Sequence, residues 1–271
     1  MPFRKQFAAL SLIACSVRIR VFCIECGVAF LVAVSALILV GQHTCLGDRL
    51  SHFALYWAIL AMGLTVRALL KKRWFIGGFG GIVFLLHAVP VASLWLPDDP
   101  TAALSEKAAE LTVVSANLYA NNARKPEALA KLLALSPELL VLMEVGTEWE
   151  PVLKPLLDKF PHTLGTEGGT WLLSRHPLRL AKRTEMKVAG SATPNALLEA
   201  TVLVSNSAIR VVAVHAPTPR GSVRVAQQWN QAAEYSLALR RDKDARHRML
   251  IGDLNTTAFS AVFRTSYRPR D

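Results

Sequence analysis

The sequence predicts an N-terminal region of three membrane helices followed by an α/β domain. Three observations predict it. Long apolar runs fill the chain up to Trp95. Pro97, Asp98, Asp99 and Pro100 then follow one another, a stretch that continues neither helix nor strand. After Leu111, short apolar runs alternate with amphipathic stretches and loops, as in a layered soluble domain. The organisation expected is a membrane region over residues 1–98, a linker over 99–110 and a domain over 111–271. A chain of 271 residues, 52% of them hydrophobic, is long enough for both parts.

The three spans are expected over Val21–Val40, Leu50–Leu69 and Trp74–Leu96. Each is close to the ~20 residues that cross a bilayer core. Glu25 stands near the start of the first span, at interface depth, where a carboxylate is tolerated. Gly77, Gly78, Gly80, Gly81 and Pro90 in the third are compatible with a membrane helix, and Trp74 and Trp95 suit its two interfaces. A cleaved targeting segment is the rival reading of the first span. Its basic start fits, but no small-x-small cleavage site precedes the further apolar runs, so a retained anchor is expected.

Arg4, Lys5, Arg18 and Arg20 precede span one, and Arg67, Lys71, Lys72 and Arg73 lie between spans two and three. The segment Gly41–Arg49 is poor in basic residues, and Asp98 and Asp99 follow span three. Basic segments stay cytoplasmic. The expectation is a multi-pass protein of the cell (inner) membrane, with a cytoplasmic N-terminus and an extracytoplasmic domain. The lipid bilayer is its first partner.

The formal net charge of +11 favours anionic partners, although much of it flanks the spans and has a topological reading. Cys15, Cys23, Cys26 and Cys45 all lie in the membrane region, so the domain has no disulfide framework. Cys23 and Cys26 have a Cys-x-x-Cys spacing without a second pair, and read as small buried hydrophobes. The spans carry almost no midplane charge, unlike many ion-coupled carriers, which argues against a transporter.

Within the domain, strands are expected over Leu111–Leu118, Glu138–Val145, Thr170–Ser174, Leu197–Val204, Ile209–Ala216 and Met249–Leu254. Helices are expected from Pro126, with Leu129, Leu132 and Leu133 on one face, over Glu148–Phe160, and over Ser222–Arg241. In the last, Val225, Trp229, Ala232 and Ala233 should face inward.

Polar residues stand where these strands end. Asn117, Glu144, His215 and Asp253 each close an apolar run, and Asn255 follows two positions on. Such strand ends are where α/β folds gather functional groups. Two carboxylates with amide oxygens can hold a hard divalent ion, and an adjacent His can stabilise charge on a phosphoryl oxygen. Singly, each residue also reads as a turn, cap or ion-pair residue.

Taken in order, the segments Ser-Ala-Asn117, Leu-Met-Glu144-Val, Leu-Leu-Ser174-Arg175-His-Pro-Leu, Val-His215-Ala-Pro-Thr-Pro and Ile-Gly-Asp253-Leu-Asn255-Thr-Thr resemble the endonuclease/exonuclease/phosphatase superfamily. The resemblance covers roughly Leu111 to Phe263, and Gly-Asp-x-Asn is its most specific piece. It implies a four-layer α/β/β/α sandwich and in-line hydrolysis of a phosphoester with Mg²⁺ or Mn²⁺. It implies that Asn117 and Glu144 hold the metal, that His215 contacts the scissile phosphate, that Asp253 orients the attacking water and that Asn255 positions the phosphate.

The superfamily closes on an Asp-His pair, whereas this chain has no His after His247 and ends 18 residues past Asp253, at Asp271. The expectation is therefore an incomplete sandwich with impaired turnover. The alternative is a catalytically inactive membrane protein that binds a ligand or partner. Nucleic acid, phospholipid and small phosphoester remain equal as substrates. Arg220, Arg224, Arg240 and Arg241 could follow a polynucleotide backbone or form a solvated helix face. No protein partner is expected.

Overall fold

The computed structural model describes residues 22–96, 110–165, 169–191 and 195–266. The basic residues ahead of span one, most of the expected linker and the last five residues lie outside these. The chain divides into two compact units, residues 1–101 with 258–261 and residues 102–257 with 262–271.

The first unit contains α1 (Phe22–Val40), α2 (Cys45–Ser51), α3 (Ala54–Leu70) and α4 (Trp74–Ser93). Helices α1 and α4, with mean hydropathies of 2.5 and 1.9, are long and apolar enough to cross a membrane. The expected second span is divided. Helices α2 and α3 meet at a 68° bend and make a third span only if counted together. Local bonds fix that corner: Trp57 Nε1 donates to the Leu50 carbonyl at 2.8 Å, and Ser51 Oγ to that of Asp48 at 2.6 Å.

Leu31, Ala61 and Val83 are buried together between α1, α3 and α4. Leu31 and Val83 each lie nine residues into their helix, while Ala61 lies nine residues before the end of α3. A Cβ on Gly27, early in α1, would meet Leu64, and one on Gly77, early in α4, would meet Leu69, so both helices start beside the end of α3 and run opposite to it. The approach of α3 to α4 is close: a Cβ on Gly80 would stand 2.5 Å from Thr65 Oγ1. Small residues at such contacts let helix backbones approach where water supplies no driving force. Outward, the unit exposes Phe22, Phe30, Ile59, Phe75, Ile82 and Trp95, a surface far more apolar than water-facing helices carry.

The second unit runs β1 (Val113–Asn117), α5 (Lys125–Ala134), β2 (Leu139–Val145), α6 (Glu150–Leu157), β3 (His162–Gly165), β4 (Gly169–Ser174), β5 (Leu178–Met186), β6 (Asn195–Val204), β7 (Ser207–His215), α7 (Ser222–Arg240), β8 (His247–Asp253) and α8 (Ala261–Ser266). It is α/β, with two four-stranded sheets ordered β1-β2-β4-β3 and β5-β6-β7-β8. The pairs β1–β2 and β7–β8 are parallel, and the others antiparallel.

Alternation along β2 explains its continuous apolar run. Leu139 and Val141 pack with Leu198, Ala200, Val202, Val211 and Ala213 of the second sheet. Leu140 and Leu142 pack with Leu129 of α5, Trp149, Leu153 and Leu156 of α6, and Phe160. A strand buried on both faces has no polar side to show. Tyr235 and Ala238 of α7 pack against Leu197, Val212 and Val214 on the second sheet's other face.

Strands β3 and β5 were not expected. Both are edge strands. β3 has four residues, and β5 exposes Arg179, Lys182, Arg183 and Glu185, a blunted edge with no apolar run to read. The inward stripe of α7 also differs from expectation. Ala233 is exposed, while Gln228 and Gln231 are buried beside Val225, Ala232, Tyr235 and Ala238.

Candidate functional site

The two parallel pairs align the ends of four strands. Asn117 stands opposite Met143, one residue before Glu144, and His215 stands opposite Asp253. The two sets meet across the sheets. Asn117 Nδ2 donates to Glu144 Oε1 at 2.8 Å and lies 3.4 Å from Asp253 Oδ2. His215 Nε2 is 3.8 Å from Glu144 Oε1. The Asp253 N–H reaches Met143 Sδ at 2.9 Å, a second tie between the sheets.

Asn255 completes the cluster. Its N–H donates to Asp253 Oδ1 at 2.8 Å, and its Nδ2 to the Ala216 carbonyl at 2.8 Å, which leaves the second amide hydrogen without a use in these contacts. Thr218 Oγ1 lies 3.4 Å from Asn255 Oδ1. All five expected site residues are thus in one cluster at one end of the two sheets.

The backbone here is strained. Glu144, inside β2, has a φ of 55°, and the loop residues Tyr119 and Asn255 have φ of 55° and 47°, asparagine being a residue type that enters this region more readily. Glu144 interrupts the β2–β4 register between Leu142 and Val145, and that bulge turns its carboxylate toward Asn117. A Cβ on Gly252, whose φ is 134°, would stand 1.9 Å from the Val214 carbonyl oxygen. Glycine there lets β8 close onto β7 and deliver Asp253. Each strained residue costs on the order of 1–3 kcal/mol, a cost that persists where function needs the geometry.

A cavity of about 180 Å³ opens beside the cluster, lined by Ala120, Glu144, Gly146, Gly169, Thr170, Asn195 and His215. Asn195 Nδ2 donates to the His215 carbonyl. Gln228, buried on α7, donates to the carbonyls of Pro217 at 2.8 Å and Asn255 at 3.1 Å, which ties together the two loops that follow His215 and Asp253. Sequence reading missed both. Asn195 opens a strand instead of closing one, and Gln228 looks like a solvated helix residue.

Other expected groups lie elsewhere or are engaged. The Ser174-Arg175-His176 segment is at the far end of β2, since Ser174 pairs with Leu139. There His176 Nε2 lies 3.1 Å from Glu138 Oε1. The Thr112 N–H, and next the His176 ring, hold the Glu138 carboxyl below its ordinary value against the opposing effect of burial. Arg224 Nε donates to the Ala189 carbonyl, and Arg241 pairs with Glu199 and Glu234.

Among the described residues, neither Glu144 nor Asp253 has a Lys or Arg partner within 4.0 Å, and no three His, Cys, Asp or Glu side chains converge as a metal cluster. The oxygen donors are two carboxylates that share one neutral amide. Such a set fits a hard cation held by one or two carboxylates, with water or substrate oxygens filling the rest of its shell.

Several solved structures are similar to the chain. D. rerio TDP2 complexed with single strand DNA product is 17% identical with a TM-score of 0.49, and the match covers 58% of this chain and 64% of that one. Truncated Caenorhabditis elegans TDP2 is 16% identical with a TM-score of 0.45, covering 54% and 63%. Sphingomyelinase C from Streptomyces griseocarneus is 18% identical with a TM-score of 0.47, covering 58% and 68%. The chain spans less than two thirds of the length of the TDP2 structures. No curated protein matches it. The model of the Endonuclease/Exonuclease/phosphatase family matches residues 114–270, more than half of the chain, and the protein belongs to that family.

Proposed function

We propose that the protein is a membrane-anchored, divalent-metal-dependent phosphoester hydrolase. The observation that carries this reading is the meeting of Glu144 and Asp253, from strands of different sheets, around Asn117 with His215 alongside. Asn117 and Glu144 would hold Mg²⁺ or Mn²⁺, which when bound polarises a phosphoryl oxygen and neutralises its charge. His215 donates to a phosphate oxygen. Asp253, held by the Asn255 N–H, orients and deprotonates the attacking water. The free amide hydrogen of Asn255 positions the phosphate. The substrate is a phosphoester, whether nucleic acid, phospholipid or a small ester.

The packing of α5 and α6 on one sheet and α7 on the other supports a four-layer α/β/β/α sandwich over residues 111–271. Counting α2 with α3 gives a three-span anchor over residues 1–98. The exposed basic turn Lys71–Arg73 and the Arg73–Glu25 pair at 3.9 Å support an interface there, facing the cytoplasm of the cell (inner) membrane. The domain is then extracytoplasmic, and reporter fusions at Thr101 that signal only from the cytoplasm would reject this.

The test of the chemistry uses full-length protein in detergent, with Mn²⁺ binding followed by electron paramagnetic resonance and turnover by a chromogenic phosphodiester. Wild type should bind Mn²⁺ saturably, and Glu144→Ala should abolish both binding and turnover. Absence of Mn²⁺ binding by wild type would reject the metal reading. Binding without turnover of any phosphoester would favour a catalytically inactive ligand-binding protein.

A further inference from the structure

We propose that Asn195 is a positioning residue that sets His215 against Glu144. This inference rests on the hydrolase reading for its purpose, but not for its geometry. Strands β6 and β7 pair in unbroken antiparallel register from Val204↔Ser207 to Leu198↔Ala213, where the ladder stops. The remaining start of β6, Asn195–Leu197, stays paired with β5 through Met186↔Asn195, Glu185↔Ala196 and Thr184↔Leu197. The remaining end of β7 stays paired with β8 through Val214↔Gly252 and His215↔Asp253. The two strands therefore part at the end where the cluster lies, over three residues of β6, Asn195–Leu197, and two of β7, Val214 and His215.

The gap has a consequence on each side. It opens toward the cavity, whose lining includes Asn195 on one strand and His215 on the other. It also deprives the His215 carbonyl of the ladder partner it would have had on β6. The Asn195 side-chain amide supplies the missing donor, reaching across to that carbonyl. One amide thus stands in for a main-chain donor of a closed ladder, and the open ladder leaves room beside the ring. The residue holding His215 from its other side, Asp253, is itself in the cluster, since the Ala216 N–H donates to the Asp253 carbonyl at 2.8 Å. Without the Asn195 bond, the His215 carbonyl has no tie to β6, and the end of β7 is restrained by β8 and by the bonds of Asn255 to Ala216 and of Gln228 to Pro217. The imidazole is then free to leave its position 3.8 Å from Glu144.

The experiment reads the His215 ring directly. Full-length protein in detergent micelles, metal-free and labelled on its seven histidines, gives ring carbon–proton signals, and His215→Gln identifies the one that disappears. Asn195→Ala, and Asn195→Leu as a non-donor of similar size, should shift or split the His215 signal and leave those of His162, His176 and His247 in place. Those three report whether the fold survives, and Asn195→Leu carries the test if the alanine variant does not fold. Mn²⁺ affinity should stay within about twofold of wild type, while kcat should fall by about 10–100-fold, the scale expected for a small misplacement of a catalytic group. Adding Asn195→Ala to His215→Gln should cost nothing further. An unchanged His215 signal in both Asn195 variants overturns the proposal. Failure of the hydrolase reading is seen separately, as wild type that does not bind Mn²⁺, and leaves the ring signal as the judge of Asn195.

Discussion

Two groups of charges in the second unit are treated in opposite ways. On the α7 side of the second sheet, Glu199 and Arg210 are 1% and 2% exposed and bonded to each other. Arg210 Nε also donates to the Ala238 carbonyl, and Arg241 to the other Glu199 oxygen. Next to them Asp242 accepts from the Thr201 hydroxyl at 2.6 Å and from Arg179 at 3.0 Å. At the strand ends, Glu144 and Asp253 share only a neutral amide, and Glu144 adopts a strained backbone to do so. Charges that hold the fold together are matched oxygen by oxygen. The charges proposed to act on a substrate are left under-matched, and the rest of the fold bears that cost.

The largest effect expected from this contrast is on stability. Glu199→Ala leaves a buried guanidinium without its carboxylate and should cost about 3–5 kcal/mol. Glu144→Ala removes an under-matched carboxylate and should cost little. Thermal unfolding of the full-length variants, followed by tryptophan fluorescence, compares them. Equal losses would erase the distinction between the two groups. Gly252→Ala comes next. The φ of 134° alone should cost about 1–3 kcal/mol. The clash with the Val214 carbonyl adds to it and pushes Asp253 away from Asn117, so kcat should fall together with the unfolding temperature. Retained kcat in a destabilised variant would detach Asp253 from the proposed chemistry.

How much of this was legible depended on whether the signal was local. Asn117, Glu144, His215 and Asp253 each end an apolar run, so the pattern that marks the strand also marks the residue that leaves it. β5 was not legible, because an edge strand exposes one side to water and carries charges where a central strand carries valines. The Glu199–Arg210 pair was invisible for a different reason. Each is a single polar residue inside an apolar run, and only the β6–β7 register together with the end of α7 shows that they meet. Asn195 and Gln228 act through main-chain carbonyls of residues 20 and 27 positions away, on His215 and Asn255, and no sequence pattern encodes that. The corner between α2 and α3 was missed because it falls at the start of the expected span, at His52 and Phe53, where no Gly or Pro marks a break.

The matched group also predicts a pH dependence. The Thr201 hydroxyl, then the Asp244 N–H and Arg179, hold the Asp242 carboxyl below its ordinary value, against the opposing effect of burial. A carboxyl lowered in the folded state binds protons more readily in the unfolded state. Its contribution is therefore complete above roughly pH 5 and is lost as pH falls through the usual carboxylate range to the lower folded value. Asp242→Asn should lower stability at neutral pH and flatten the acid limb of the stability curve. Glu138→Gln should flatten it in the same sense, since that carboxyl is also lowered. An acid limb unchanged in both variants would mean that these carboxylates do not set it.

The smallest effect is the sharpest on the strain itself, because it is a reversal of sign. In an ordinary strand glycine is worse than alanine by roughly 0.5–1 kcal/mol, since it loses more conformational freedom on folding. Ser115, exposed in the middle of β1, is such a position, and Ser115→Gly should be less stable than Ser115→Ala by that amount. At Glu144 the φ of 55° penalises any side chain with a Cβ and penalises glycine not at all. Glu144→Gly should therefore be more stable than Glu144→Ala, by about 1 kcal/mol. Both Glu144 variants lack the carboxylate, so lost contacts and lost charge cancel in the comparison, and only the backbone term remains. The same two proteins should fail equally to bind Mn²⁺. Alanine more stable than glycine at Glu144, as at Ser115, would mean that the bulge holds no strain and that the carboxylate is presented at no cost to the fold.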